Sequence, residues 1–219
     1  MQPKPQLFAK VGGWLKWELD VTTVSILADY ITSFLRKESM NQESTLAALR
    51  AYVPSGVDDA EFRDRMVDFV ERYPADFHRR TTVEGHLTAS AWIVNAQHDR
   101  FLLCHHSKLN RWLQLGGHIE EDANLAAAAL REAKEESGLD SVRLASEEVF
   151  DVDIHTIPAR KGEPEHLHLD VRFLIVADEE ETLEISEESN DLAWVSADTL
   201  RKELPEASML RMLEKTPAP

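Results

Sequence analysis

A single cysteine, Cys104, stands in a chain of 219 residues. No intrachain disulfide can form, and a reducing cytoplasm is the expected setting. Positive charge is scarce: 24 Lys and Arg face 40 Asp and Glu, for a formal net charge of −16. That excess excludes general binding to DNA or to an anionic membrane. A nucleotide is not excluded, because its phosphates arrive with metal. No apolar run approaches the length of a membrane span. The opening MQPKPQLFAKVGG lacks the apolar core and cleavage pattern of a signal peptide. Internal repeats and low-complexity tracts are absent too. Hydrophobic content of 43% and charged content of 29% are ordinary for a soluble globular protein, and the length suits one or two domains with ample core.

The first 80 or so residues read as helical. Leu27, Tyr30, Ile31, Phe34 and Leu35 recur at helical spacing, as do Phe62, Met66, Phe69, Val70 and Tyr73 after Asp58 and Asp59 as N-cap candidates. A short helix near 44–52 lies between them and ends by Pro54-Ser55-Gly56. These stripes predict core rather than cofactor contacts. Residues 1–80 are expected to form a helical N-terminal extension without catalytic residues, packed on the rest of the chain or forming a homodimer contact. Residues 1–20, with Trp14 and Trp17, receive no assignment.

The pattern then changes. Residues 86–95 and 100–106 read as strands joined by a short turn. Further β-rich sequence occupies 142–157, a clear strand 166–176, and one more 191–196; closing helices are expected over 197–203 and 206–214. Between the strands, residues 116–139 read GGHIEEDANLAAAALREAKEESGL. Glu132, Glu135 and Glu136 are three and four residues apart and fall within an arc of roughly 100° on one helix face. Three like charges that close destabilise an isolated helix, so a cation is expected. Mg²⁺ or Mn²⁺ suits carboxylate oxygens. The Gly-Gly turn before the helix lets backbone carbonyls approach an ion.

This run resembles the Nudix box, G-x5-E-x7-R-E-U-x-E-E-x-G-U, with U a bulky aliphatic residue. Gly117, Arg131, Glu132, Glu135, Glu136, Gly138 and Leu139 match in register. Ala123 replaces the first glutamate and Ala133 the first U. The missing glutamate tends in the family to support the metal centre, and Asp122 or Glu121 is a substitute. The resemblance is judged to cover about residues 84–215. It implies an α/β fold, a Nudix-type α/β/α sandwich with a mixed sheet, preceded by the helical extension. It also implies a Mg²⁺-dependent (or Mn²⁺-dependent) hydrolase that cleaves a phosphoanhydride in a nucleoside diphosphate linked to another moiety.

On that resemblance, Gly116 (through its carbonyl), Glu132, Glu135 and Glu136 are the metal ligands. Glu135 or Glu188 is the catalytic base; Glu188, with Glu187 next, is chosen from the acidic segment 179–188 because many Nudix enzymes place an extra glutamate before a late strand, where it completes the metal site or acts as base. Arg131 is expected to orient the box carboxylates. Lys108 and Arg111, just before the Gly-Gly turn, are candidates for substrate phosphate. On strand 166–172, His166, His168, Asp170 and Arg172 share one face. His168 and Arg172 are candidate substrate contacts; a solvated polar face is the plainer alternative, and two histidines two apart on a strand can also share a metal. Cys104 is expected to be a buried small hydrophobe.

Two other classes compete. Ala123 and the extra helical region also suit a Nudix-like ligand-sensing domain without turnover, and metal-dependent product release would separate the two. An isomerase resembling isopentenyl-diphosphate isomerases would need a cysteine directly before Gly-His, and Gly116 stands before Gly117-His118.

Overall fold

The computed structural model describes residues 10–11, 14–15, 40–160 and 162–219. The chain divides into two compact units, residues 1–37 and 38–219. In the first, β1 (Lys10–Val11) and β2 (Trp14–Leu15) pair antiparallel, with Val11 opposite Trp14. The stripe from Leu27 to Leu35 lies outside the described residues.

The second unit opens with α1 (Gln42–Ala51) and α2 (Val57–Arg72). Asn41 caps α1 by accepting the Ser44 N–H at 2.9 Å. The α2 cap is Gly56 rather than Asp58 or Asp59. Asp59 reaches back instead, accepting from the backbone N–H groups of Ser55 at 2.7 Å and Gly56 at 2.8 Å. Leu49, Met66, Phe69 and Val70 are at most 2% exposed and belong to one core with Leu87, Val152 and Leu169 from the sheet. Each such side chain contributes roughly 1.5–3 kcal/mol by leaving water.

Eight strands form the sheet: β3 (Gly85–Val94), β4 (Arg100–His106), β5 (Arg111–Leu113), β6 (Leu115–His118), β7 (Arg143–Leu144), β8 (Asp151–Ile157), β9 (His166–Val176) and β10 (Ser189–Ser196). The path runs β10-β4-β3-β9-β7; β5 pairs with β4, β6 with β3 and β8 with β9. Only β3 and β9 are parallel among these pairs, so the sheet is mixed. The short strands β5 and β6 go unread in the sequence because their glycines and charges hide the β pattern. Every residue of β3 is buried, as a central strand covered on both faces should be.

The two covers differ. One face presents Leu87, Ala89, Ala91 and Ile93, which join cores that include residues of α3 (Leu125–Ser137). Ala128, Ala129 and Ala133 are fully buried there, and their small side chains let the helix approach the sheet closely. On the other face Trp92, Val94, Leu174 and Val176 pack with Leu200 of α4 (Ala197–Glu203) and Met209, Met212 and Leu213 of α5 (Ala207–Lys215). The result is an α/β sandwich around a mixed sheet. Asn124 caps α3 through the Ala127 N–H at 2.8 Å, and Gly138 ends it at a left-handed φ of 73°. Among the described residues no helix is long and apolar enough to cross a membrane.

Candidate active site

The loop before α3 and the helix itself bring the acidic residues together. Gly116 has φ 145°, and a Cβ there would stand 2.4 Å from the Ser90 Oγ and 2.5 Å from its Cα. Only glycine fits, because β6 lies directly against β3. At Gly117 a Cβ would meet the Glu132 carboxylate at 3.0 Å. The paired glycines thus let the strand and the carboxylates share a tight space.

Glu136 is 8% exposed, and its Oε2 accepts the Gly116 N–H at 3.2 Å. Burial raises its pKa to about 8; the Gly116 N–H opposes this, while the charges of Glu132, Glu188 and Glu135 add to it. The Glu132 pKa is raised too, first by burial, against the pull of Arg131. Glu135 is the most open of the three, its side chain 60% exposed.

Arg131 fans out across this cluster. Its Nε donates to Asp122 at 3.1 Å, one terminal nitrogen to Glu132 at 3.0 Å and Glu135 at 2.8 Å, and the other to Asp122 at 3.0 Å and the His118 carbonyl at 2.9 Å. Asp122, beside Ala123, therefore supplies the carboxylate at the helix entrance. Its own carbonyl accepts the Met40 N–H at 3.1 Å, which ties this loop to the start of α1.

A cavity of about 220 Å³ opens beside the glycines. Gly116, Gly117, Lys108, Glu188, His168 and Asp170 are among the residues on its wall. Glu188 is exposed, and its carbonyl is tied to Ser107 by the N–H at 2.9 Å and the Oγ at 2.8 Å. Lys108 is exposed as well.

Two expected substrate contacts are elsewhere. Arg111 is not among the residues that line the cavity and is ion-paired with Glu206 at the start of α5. Arg172 is 2% exposed, and each of its three nitrogens holds a carboxylate: Nε Asp170 at 2.8 Å, and the terminal pair Asp151 and Asp153 at 3.1 Å each. Burial corrects the assignment of Arg172, and Arg111 is engaged by Glu206. Arg172 is an internal counter-charge, because a buried guanidinium needs anions around it and the neighbouring β8 supplies them.

Asp170 connects that buried group to the cavity. It accepts from Thr88 Oγ1 at 3.0 Å, Ser90 Oγ at 2.7 Å and Gln114 Nε2 at 3.2 Å. Burial opposes its ionisation, but Arg172 holds its pKa below the ordinary carboxylate range. Cys104 is buried at 4% exposure, and burial pushes its thiol up to about 12, too high for a nucleophile at neutral pH.

The sequence reading missed part of this wall. His86, His118 and His155 stand beside His166 and His168 on the same side of the sheet, with neighbouring ring centroids 4.9–5.5 Å apart. Burial lowers the pKa of His86 to about 3 and of His118 to about 4. The even spacing of His86, Thr88 and Ser90 was the available signal. Its meaning depends on register: His86 lies opposite His168, which lies opposite His155.

The chain matches the family model of the NUDIX domain over residues 85–215, more than half its length, and it belongs to the NUDIX family as a Nudix pyrophosphohydrolase, an enzyme that hydrolyses phosphoanhydrides. It is similar to the probable DHNTP pyrophosphohydrolase of Lactococcus lactis subsp. cremoris (strain MG1363), 25% identical over 125 residues that span 56% of this chain and 74% of that protein. Among solved structures, a NUDIX-family hydrolase from Clostridium perfringens is 32% identical, with 60% of this chain and 95% of that one covered at a TM-score of 0.45. A C. elegans Ap4A hydrolase in a binary complex is 20% identical, with 59% and 93% covered at a TM-score of 0.47.

Proposed function

We propose that the chain is a Mg²⁺- or Mn²⁺-dependent hydrolase of a small nucleotide-type substrate, a nucleoside diphosphate linked to another moiety. The observation that carries this is the gathering of Glu132, Glu135 and Glu136 around the Gly116-Gly117 turn, with too little positive charge to balance them. Glu136, whose pKa burial raises to about 8, needs a cation to ionise fully at neutral pH. The donor set suits a hard divalent ion: three carboxylates and the Gly116 carbonyl would hold it.

The bound ion supplies neutralisation of phosphate oxygens and a lowered pKa for water. The protein does the rest. Arg131 holds Glu132 and Glu135 by direct hydrogen bonds and so sets their orientation. Asp122 anchors that guanidinium and takes the supporting role that Ala123 cannot. Glu135, open to solvent, or Glu188, on the cavity wall, accepts the proton of the attacking water. Lys108 offers its ammonium to substrate phosphate across the cavity. Residues 84–215 form the catalytic domain in this reading, and residues 1–80 serve as an extension without catalytic groups. A reducing cytoplasm suits the single thiol.

The test is a hydrolysis screen with Mg²⁺ and Mn²⁺ over nucleoside triphosphates, nucleotide sugars, dinucleoside polyphosphates, dinucleotide cofactors and dihydroneopterin triphosphate, the last suggested by the name of the Lactococcus relative. Turnover with one of these classes, lost on chelation, is expected. Tight metal-dependent binding without product release would replace this reading with the ligand-sensing one.

A further inference from the structure

The box carboxylates are an oxygen site. Between the cavity and the cleft beside it stands a nitrogen site of different chemistry. His86, His166 and His168 each offer a ring nitrogen, and the three atoms lie within 4.8 Å of one another. Three strand positions create this arrangement. His166 and His168 are two apart on one face of β9, and the parallel register with β3 sets His86 beside His168.

The ring nitrogens have hydrogen-bonding needs that the protein leaves unmet. His86 is 1% exposed, yet neither Nδ1 nor Nε2 has a partner; the Nε2 of His168 is also buried and alone. A buried polar atom without a partner costs about 1–3 kcal/mol, so three in one cluster call for an occupant. His166 shows which kind. Its Nδ1 lies 2.9 Å from the Pro164 carbonyl, which can only accept, so Nδ1 carries the proton and Nε2 is left with a bare lone pair. A backbone carbonyl on the far nitrogen is the usual orienting partner of a metal-bound histidine.

We propose that His86, His166 and His168 bind one divalent transition-metal ion of the zinc class, at a site distinct from the box glutamates. Imidazole nitrogen selects zinc, cobalt or nickel over Mg²⁺, which requires oxygen ligands. Three protein ligands leave a tetrahedral ion one position for water or another oxygen donor, the pattern of an open rather than a closed site. His168 lines the substrate cavity, while His86 and His166 line the cleft beside it. The ion therefore sits in the wall between the two. His118 and His155 pack against His168 without belonging to the ligand set.

The experiment uses the full chain, stripped with a chelator and titrated with Zn²⁺ alone, without Mg²⁺ or substrate. Binding of one ion per chain is expected, with X-ray absorption of the zinc-loaded protein showing scattering from three imidazole rings. The Glu132→Gln/Glu136→Gln variant should keep this site, and the His166→Ala/His168→Ala variant should lose it. His86 is left intact because a substitution so deep in the sheet threatens folding. Oxygen-only coordination in the wild-type spectrum would overturn the proposal, whatever the variants do. So would the absence of stoichiometric zinc binding, or a site that survives in the histidine variant and vanishes in the glutamate one. Because the box glutamates and the histidines are probed separately, failure here leaves the hydrolase reading standing.

Discussion

Two acidic clusters among the described residues are built on opposite principles. On β8 and β9, Asp151, Asp153 and Asp170 are matched by Arg172, Arg211 and Lys215: Arg211 Nε and Lys215 Nζ each reach the same oxygen of Asp151 at 2.9 Å. Burial works against ionisation there, yet a hydrogen bond from His155, with the charges of Arg172 and Arg211, holds Asp153 down to about 2. On α3, Arg131 is shared among Asp122, Glu132 and Glu135, and burial lifts Glu136 to about 8. The first cluster is complete by itself. The second is short of positive charge and lies behind the glycines, Gly116 and Gly117, that line the cavity. Carboxylate count does not separate a structural cluster from a ligand-ready one; the local charge balance does.

The sharpest way to break this comparison is to neutralise the unbalanced cluster. Glu135→Gln should lower turnover by roughly 10²–10⁴-fold, and Glu136→Gln should be comparably damaging, while circular dichroism shows both folded. Near-wild-type rates in both purified variants would mean the two clusters do not differ in function.

The next largest effect should come from unbalancing the balanced cluster. Arg172→Met leaves Asp151, Asp153 and Asp170 buried with less counter-charge, which should cost about 3–5 kcal/mol of stability, read as a lower urea midpoint. Arg131→Met, in a partly open site, should cost less stability and more activity. Equal losses at the two arginines would erase the distinction.

The pH dependence sharpens it further. A folded-state pKa above the unfolded value means the folded chain holds its proton more tightly, so the associated stability is present at low pH and lost as pH rises. For Glu136 that window runs from its ordinary 4.5 to about 8. The buried histidines slope the other way below their ordinary 6.5, so the clean interval is pH 6.5–8. Across it the metal-free chain should lose thermal stability, by roughly a kcal/mol or more, and Glu136→Gln should flatten that slope. A wild-type profile that runs parallel to the variant's would refute the raised proton affinity.

The smallest and most specific effect concerns Ala123. A carboxylate there would favour both the helix dipole and a nearby cation. Ala123→Glu should therefore lower the Mg²⁺ concentration for half-maximal rate, by up to about 10–100-fold, without changing which substrates are used. An unchanged Mg²⁺ titration would show that Asp122, already bonded to Arg131, fills the role alone.

The local features were legible from the chain itself. The box helix, its stop at Gly138 and the common face of Glu132, Glu135 and Glu136 follow from a 3.6-residue period that acts over a few turns. So do α2 and the closing helices, while the main strands are read from β-rich runs and a two-residue alternation. Long-range partners were not legible. Arg172 alternates in step with His168 and Asp170 and reads as a substrate contact or part of a solvated polar face; only the packing of β8 beside β9, and of α5 near both, made it an internal counter-charge. Arg111 looked free until Glu206, 95 residues on, took it. The histidine cluster depends wholly on register, since a one-residue slip of β9 against β3 would turn His166 and His168 to the opposite face. Periodicity within one element decides which residues share a face. Which face meets which, and therefore which charges cancel and which remain for a ligand, was decided by the tertiary structure, because that pairing energy lies between segments far apart in the chain.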